Sequence, residues 1–301
     1  MKETREASEE LLATFDVSGN TTLEAKSGYG LNTDSELKML NVIDMAATYM
    51  PIEIIGTFCG GHAIPVNSDE KKQTAMIIDE MIPEIAKQKR EGRLKSVENI
   101  DVFCEKNSLF IEITFNKKIL EAGKDIAGLE IMFHAEELHR IGGAEMGASI
   151  HARSMSHLEH VSDEGIKAMT NSGTAAILLL TTVFTLRLQP RPARQIIEQG
   201  VMVALGSAFN PNAYCMSMPM FIHLACINMK MSMSEALVAA TINAAYALGR
   251  GKTHGALTVG RRIDYRYPKW EHLIYQVGCH NSIIKSVIKN GDVVYSERCT
   301  P

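Results

Sequence analysis

Short apolar segments alternate with longer amphipathic ones along most of this 301-residue chain, and this alternation constrains the fold more than any other feature. It is typical of parallel strands joined by helical crossovers. The apolar segments are mostly continuous runs rich in Ile, Val and Leu, as expected for strands covered by helices. A closed α/β barrel has eight strands, whereas an open sheet can have seven, so both architectures stay open. The strands predicted before Ala208 lie at residues 21–26, 52–58, 100–104, 129–134, 153–158, 174–180 and 201–207.

The same pattern predicts the helices and a change of architecture near the end of the chain. Capping residues such as Ser162 support several helix starts. Residues 255–260 and 286–295 are predicted to be short strands, the second range forming a hairpin that turns at Asn290-Gly291. We therefore expect an α/β unit at residues 1–249 and a small β unit at residues 250–301. Helices are predicted at residues 4–15, 35–49, 70–88, 111–122, 136–150, 163–171, 192–199, 218–231 and 234–248.

Composition excludes several classes of function. The net charge is −4 and no basic segment contains interleaved aromatic residues, so nucleic acid is not an expected partner. The longest apolar segment, residues 174–180, is too short to cross a bilayer, and the charged start of the chain is unlike a signal peptide. Six scattered cysteines without paired spacing are typical of reduced thiols, which predicts a cytosolic protein.

His134 is the most informative polar residue, because it ends a predicted strand and Glu137 follows three residues later. Enzymes with α/β-barrel folds place their chemistry at the C-terminal ends of strands. An imidazole there can bind a metal ion, and a nearby carboxylate can move a proton or hold substrate. The alternative is structural: Glu137 is then a first-turn glutamate favoured by the helix dipole, and His134 a packed strand-end histidine.

Polar residues also follow other predicted strands. Tyr29, His62 and His157 each come at or just after the end of a strand, and Asn210 follows the last one. Parallel strands end on one face, so these side chains are expected to meet there. The ordinary interpretation of His62 is a βα loop residue, and that of Asn210 is a turn residue.

Four sequence segments together resemble the imidazolonepropionases, amidohydrolase-superfamily enzymes of histidine breakdown. The resemblance runs over residues 21–295, and the motifs occur in the same order. The sequence around Asn210 and Trp270 is similar to that of the animal imidazolonepropionases. The segments are EAKSGYGL at 24–31, FHAEEL at 133–138, SHLE at 156–159 and TINAAYALG at 241–249.

The resemblance implies a fold, a reaction and a cofactor. The fold would be an α/β, TIM-like (β/α)₈ barrel of the metal-dependent hydrolase type, its first strand missing, with residues 250–301 as the remnant of a small β-sandwich. The reaction would be hydrolysis of 4-imidazolone-5-propanoate to N-formimidoyl-L-glutamate, assisted by one Zn²⁺ or Fe ion that activates water. By similarity, the metal ligand is His134, the catalytic residues are Glu137 and His157, and the substrate-binding residues are Tyr29, His62, Glu137 and Asn210.

Two departures from the family pattern bear on activity. The family carries a His-x-His pair of metal ligands on its first barrel strand and a substrate-binding arginine soon after, and we expect this chain to start after both. The family also has an aspartate after the last barrel strand, where this chain has Ala208. The resemblance therefore predicts impaired hydrolysis, or alternatively an inactive homologue that binds ligand or pairs with an intact subunit.

A barrel that lacks one strand has two exposed sheet edges, which favour a homo-oligomer.

Overall fold

The computed structural model describes residues 18–105, 113–189, 193–210, 213–262, 265–268 and 284–296. Seven parallel strands form one sheet in the order β1-β2-β3-β4-β5-β6-β7, curled into a half-barrel with β1 and β7 at its edges. The predicted α/β barrel architecture is therefore confirmed, with seven strands in the described part of the chain. The strands are β1 Thr22–Lys26, β2 Glu53–Gly61, β3 Val97–Cys104, β4 Glu130–Ala135, β5 Ser154–His157, β6 Ala175–Leu179 and β7 Val203–Gly206.

Helices follow or connect these strands. A π-helical turn, Ile77–Met81, joins α2 to α3, and Pro83 follows it in the first turn of α3. Because proline has no N–H to donate, the regular hydrogen-bond ladder is interrupted near this position. The helices are α1 Thr33–Tyr49, α2 Glu70–Met76, α3 Ile82–Arg90, α4 Ile113–Ala127, α5 Gly143–Ser149, α6 Asp163–Ser172, α7 Leu180–Leu186, α8 Ala193–Glu198, α9 Met218–Asn228, α10 Met233–Ala240 and α11 Ile242–Ala247.

The main apolar core lies between the sheet and these helices. Strand β2 is buried at every position except its first, which explains its continuous apolar character. Helix α4 buries Ile119 and Leu120 against the same core. Gly123 allows α4 to approach β3 closely, because a Cβ atom at this position would overlap the side chain of Ile100. Helix α4 thus packs directly on β3.

Three predictions from the sequence were wrong. The predicted helix at 136–150 is helical only at Gly143–Ser149, because Glu136 adopts a left-handed φ of 54° and its carboxylate binds backbone N–H groups at Gly142 and Gly143. The predicted strand at 255–260 is irregular. The predicted helix at 234–248 is divided between α10 and α11 by Thr241, whose φ and ψ are −124° and −93°. Helix α7, directly after β6, was not predicted.

A small antiparallel sheet follows in the chain, with strands β8 Tyr265–Pro268, β9 Ile284–Lys289 and β10 Asp292–Ser296. The predicted hairpin is confirmed: Asn290 and Gly291 both have positive φ, 53° and 90°, as a tight two-residue turn requires. The Lys289 ammonium donates to the carbonyl of Thr21, so the two sheets are connected.

Some predictions fall outside the described residues. They are the helix at 4–15, the first residues of the helix at 111–122 and the first residue of the helix at 192–199. Among the described residues, no helix combines the length and apolarity that crossing a membrane requires.

Candidate active site

A cavity of about 1860 Å³ runs along the inner side of the half-barrel and reaches the C-terminal ends of the strands. The residues that the sequence placed at the strand ends all line this cavity. Ala208 lines the same cavity. Their shared location agrees with the prediction, whereas their individual roles stay predictions. The predicted residues lining the cavity are Tyr29, His62, His134, Glu137, His157 and Asn210.

Four of these residues form a connected row of rings. Tyr29 and His62 contact edge to face, with ring centroids 4.2 Å apart. His134 lies 6.0 Å from His62 and 5.2 Å from His157 by centroid, and it stacks on His157 at an interplanar angle of 26°. Phe103 lies against both His62 and His134, at 5.4 and 5.7 Å. The row joins the ends of β1, β2, β4 and β5 into one surface.

His157 is the point where carboxylates and imidazoles meet. Its Nδ1 atom lies 3.5 Å from Oε1 of Glu137 and 3.6 Å from Oε1 of Glu159, and all three side chains are nearly or completely buried. A carboxylate beside an imidazole is an arrangement that can take up and return a proton. The Glu137–His157 pair therefore has the composition of an acid–base pair, next to the stacked ring of His134.

Beneath the histidines lies a polar network that links β1, β2, β3 and β4. Asp101 Oδ1 lies 2.9 Å from Nδ1 of His134 and accepts a hydrogen bond from its backbone N–H at 3.0 Å. Lys26 Nζ donates to Asp101 Oδ2 at 2.8 Å and to Glu24 Oε1 at 2.7 Å. The hydroxyl of Thr57 donates to the same Glu24 oxygen at 2.5 Å. Barrel interiors are usually filled by branched apolar side chains, so a charged layer here is a specialised feature.

Burial and neighbouring charges set the ionisation of this network. Burial alone would raise the pKa of Asp101, but His134 and the ammonium of Lys26 hold that pKa below its usual range. Burial alone would lower the pKa of Lys26, but Asp101 and Glu24 raise it. Burial, together with the nearby His134, lowers the pKa of His62 to about 4. His62 is therefore neutral at physiological pH, while Lys26 and Asp101 are charged.

Several strand-end residues of the site have an uncommon backbone conformation. Tyr29, Glu136, His157 and Ala208 have φ values of 58°, 54°, 78° and 49°. Positive φ is rare for residues other than glycine, and such strained positions cluster at functional sites. The surrounding structure must hold these residues in place against that strain.

Buried carboxylates supply part of this support. Glu36, at the start of α1, accepts backbone hydrogen bonds from Gly30 at 2.7 Å and Leu31 at 3.2 Å, which fixes the loop that carries Tyr29. Glu105, just after β3, accepts from the backbone N–H groups of Leu138 and His139, both at 3.1 Å. The loops on both sides of the histidine row are therefore tied to the barrel by carboxylates.

Sequence reasoning missed the network below the row. A signal was present: Glu24 and Lys26 occupy alternate positions of one predicted strand, as do Asn99 and Asp101 in β3. Alternate residues of a strand face the same side, so repeated polar residues at this spacing indicate a polar inner face. Which of them would touch could not be predicted from the spacing.

A metal ion is implied by the resemblance, and the described residues can be tested for its ligands. One group has suitable chemistry: ligand atoms of Cys59, Asp101 and His134 lie within 4.8 Å of one another. However, Asp101 already binds Lys26 and His134. Burial and the nearby Asp101 raise the pKa of the Cys59 thiol well above its usual value, which disfavours the thiolate. With Asp101 paired and the Cys59 thiolate disfavoured, this group does not supply the three protein ligands that a catalytic zinc ion usually has.

Comparisons with known proteins agree with the fold and the motifs. The sequence matches the model of the amidohydrolase family over residues 57–294. A probable imidazolonepropionase of Nematostella vectensis is 56% identical over 283 residues, which cover 93% of this chain and 65% of that protein. A probable imidazolonepropionase of Bos taurus is 49% identical over 308 residues, which cover 99% of this chain and 71% of that protein. The chain belongs to the imidazolonepropionase family of amidohydrolases. It spans about two thirds of the length of these two curated imidazolonepropionases.

Solved structures show the same fold for this imidazolonepropionase-family chain. Guanine deaminase of C. acetobutylicum with bound guanine superimposes with a TM-score of 0.73 at 16% identity, covering 96% of this chain and 76% of the deaminase. Atrazine chlorohydrolase of Arthrobacter aurescens TC1 complexed with zinc has a TM-score of 0.73 at 15% identity, covering 96% of this chain and 71% of the hydrolase. Identities this low establish the amidohydrolase fold alone.

Proposed function

We propose that this chain has the site of an imidazolonepropionase-type hydrolase, which opens the ring of 4-imidazolone-5-propanoate to give N-formimidoyl-L-glutamate. The observation that carries the proposal is the convergence of His134, Glu137 and His157 in one cavity with Tyr29 and His62. Family membership supports it, because the relatives share about half or more of their aligned residues with this chain.

The chemistry divides among these residues. Water adds to the ring carbonyl carbon, the C–N bond breaks, and the departing ring nitrogen takes up a proton. Glu137 is the group proposed to carry that proton, because its carboxylate lies 3.5 Å from Nδ1 of the buried His157. Tyr29 and the neutral His62 form the wall proposed to hold the substrate ring, and Asn210 is proposed to bind its polar end.

We expect the proposed hydrolysis to be impaired in this chain. The sequence contains no His-x-His pair, and Ala208 stands where the family pattern has an aspartate. A methyl group neither ligates a metal ion nor accepts a proton from water. The cofactor proposed from the resemblance is one Zn²⁺ or Fe ion bound through His134. Besides His134, the nearby candidates are Cys59 and Asp101, and Asp101 is already paired with Lys26.

Turnover of freshly prepared 4-imidazolone-5-propanoate tests the proposal. The purified chain is supplied with Zn²⁺ or Fe²⁺, and loss of substrate absorbance is compared with a no-protein reaction. Turnover above that background, abolished by His134→Ala, supports the hydrolase. Equal rates with and without His134 would contradict the assigned site, because another group would then be responsible.

The alternative function is that of an inactive homologue which binds the ligand or pairs with an intact subunit. Ala208 favours it, because this residue lines the cavity without offering a reactive group. Calorimetric binding of N-formimidoyl-L-glutamate without turnover, weakened by Tyr29→Ala, would support ligand binding. Co-purification with a full-length relative would support pairing. If the folded protein shows no ligand binding, no pairing and no turnover, both functions are contradicted.

A further inference from the structure

The carboxylate of Asp101 is surrounded by three donors in a fixed arrangement. The backbone N–H of His134 lies 3.0 Å from Oδ1, and Nδ1 of the same residue lies 2.9 Å from Oδ1 and 2.8 Å from Oδ2. Nζ of Lys26 lies 2.8 Å from Oδ2. An ionised carboxylate only accepts hydrogen bonds. Nδ1 of His134 must therefore be the protonated ring nitrogen in order to bond to it.

Lys26 keeps Asp101 in this ionised state and place. The lysine ammonium is itself fixed by Glu24, at 2.7 Å, and the same Glu24 oxygen also accepts from Thr57. The side chain of Asp101 is fully buried and that of Lys26 is 27% exposed, so solvent competes little with these contacts. The network has members from four adjacent strands, β1 to β4. The pairing of these strands in the sheet therefore fixes its geometry.

We propose that Asp101, held by Lys26, is a positioning residue that fixes the His134 ring as its Nδ1–H tautomer and leaves Nε2 as the nitrogen that acts on a ligand in the cavity. Histidines that bind metals or substrates commonly have the second nitrogen fixed by a carboxylate in this way. The network thus determines which atom of His134 is available before any ligand arrives. This inference rests on the proposed role of His134, but it does not require turnover.

The tautomer can be measured directly by ¹⁵N NMR of histidine-labelled protein. In alkaline buffer, at a pH above which the ring signals no longer change, protonated and unprotonated ring nitrogens of a neutral imidazole give separate signals. The two ring-nitrogen signals of His134 are assigned as those missing from the spectrum of His134→Gln. The wild-type chain is expected to show a protonated Nδ1 and an unprotonated Nε2.

Two variants separate positioning from charge. Asp101→Asn offers one oxygen and an NH₂ group to three donors, so it cannot satisfy them all. Loss of the Nδ1–H form as the dominant tautomer is expected. Glu24→Gln removes one negative charge from the same network, but its oxygen can still accept from Lys26 and Thr57. It is the matched control and should leave the His134 signals unchanged.

Three results would overturn the inference: an Nε2–H tautomer in the wild type, an unchanged tautomer in Asp101→Asn, or equal changes in both variants. If Asp101→Asn does not fold, the wild-type spectrum alone still decides between the two tautomers. If the expected tautomer is found but no turnover is measured, the proposed hydrolase function is contradicted and this inference stands. If turnover is measured but the opposite tautomer is found, this inference is contradicted and the hydrolase function stands.

Discussion

Lys26 Nζ lies 2.8 Å from Oδ2 of Asp101, and the side chain of Asp101 is completely buried. The same ammonium lies 2.7 Å from Glu24, so one cation balances two carboxylates inside the half-barrel. The net contribution of a buried ion pair is limited by the cost of taking both charges out of water. Removing one partner is much more costly, because a buried charge is then left without compensation. The stability of the barrel is therefore sensitive to removal of the Lys26 ammonium from this network.

Lys26→Met should lower the free energy of unfolding by about 3 kcal/mol, because Asp101 and Glu24 lose their cation. The matched control is Lys72→Met, since Lys72 and Asp69 form a pair at 3.4 Å whose side chains are 74% and 55% exposed. The control should change stability by less than about 0.5 kcal/mol. Urea unfolding of the three proteins measures both effects, and equal losses would contradict a special role for the buried pair.

Stability should also depend on pH through Glu53, at the start of β2. Its carboxylate accepts from Arg250 at 2.7 Å and Arg262 at 2.6 Å, and it lies 2.8 Å from Nε2 of His254. Burial alone would raise the pKa of Glu53, but Arg250, His254 and Arg262 lower it overall. A carboxyl group whose pKa is lower in the folded state stabilises the fold above its unfolded pKa of about 4.3. That stabilisation is lost as pH falls through the folded pKa.

Glu53→Gln is therefore expected to cost about 2 kcal/mol at neutral pH, a typical value for hydrogen bonds to charged groups. The difference from the wild type should shrink as pH falls below about 4.3. Glu121→Gln is the control, because this side chain is 46% exposed and pairs with Lys117 only at 3.8 Å. Unfolding measured at several pH values checks the trend. A difference that grows in acid would show that the sign is wrong.

The loop that carries Tyr29 should open when its buried carboxylate is removed. Glu36→Ala leaves the N–H groups of Gly30 and Leu31 without their acceptor. A lost hydrogen bond to a charged group is worth about 1.5–3 kcal/mol. Hydrogen exchange at these two amides should therefore become roughly 10- to 100-fold faster, if local opening governs exchange there. Glu36→Gln, which keeps one acceptor oxygen, should show a smaller increase.

Glu80→Ala is the control for this experiment, because the carboxylate of Glu80 contacts only the exposed hydroxyl of Thr33, at 3.3 Å, among the hydrogen bonds of the described residues. Exchange at Gly30 and Leu31 should be the same in this variant and in the wild type. Unchanged exchange in Glu36→Ala would mean that the loop is held mainly by other contacts, such as that of Gln73 with the carbonyl of Leu31 at 3.2 Å.

Much of this architecture could be predicted from the sequence, because local signals carried it. The seven strands were found from short, mostly apolar segments, and the strand-end rule brought His134 and His157 to one face. The hairpin at Asn290-Gly291 was predicted because both residues tolerate positive φ. In each case the deciding information lies within a few neighbouring residues.

Features that depend on tertiary contacts were missed. Lys26 and Asp101 are 75 positions apart, and nothing in either strand says that they touch. The helix predicted to begin at Glu136 fails because its side chain binds the N–H groups of Gly142 and Gly143, which favours a loop over a helical turn. The sequence thus predicted which residues reach the cavity, and not the network that holds them.

Ala208→Asp restores the carboxylate of the family pattern and is expected to restore no turnover. Ala208 has a φ of 49°, a conformation that aspartate tolerates at least as well as alanine. The variant should therefore fold, with its unfolding free energy within about 1 kcal/mol of the wild type. The side-chain amide of Asn210 donates to the backbone carbonyl of residue 208 at 2.6 Å, and the substitution leaves that carbonyl in place.

The reason for expecting no rescue is the number of ligands. His134 and the introduced aspartate would give two family-type ligands where a catalytic zinc ion usually has about three. The measurement is loss of 4-imidazolone-5-propanoate absorbance with Zn²⁺ or Fe²⁺ supplied, together with metal content of the purified variant. Ala208→Asn is the matched control, because it has the same shape without the negative charge. Turnover by Ala208→Asp and not by Ala208→Asn would mean that Cys59 or Asp101 serves as a ligand after all, with Lys26 displaced from the carboxylate that it now binds.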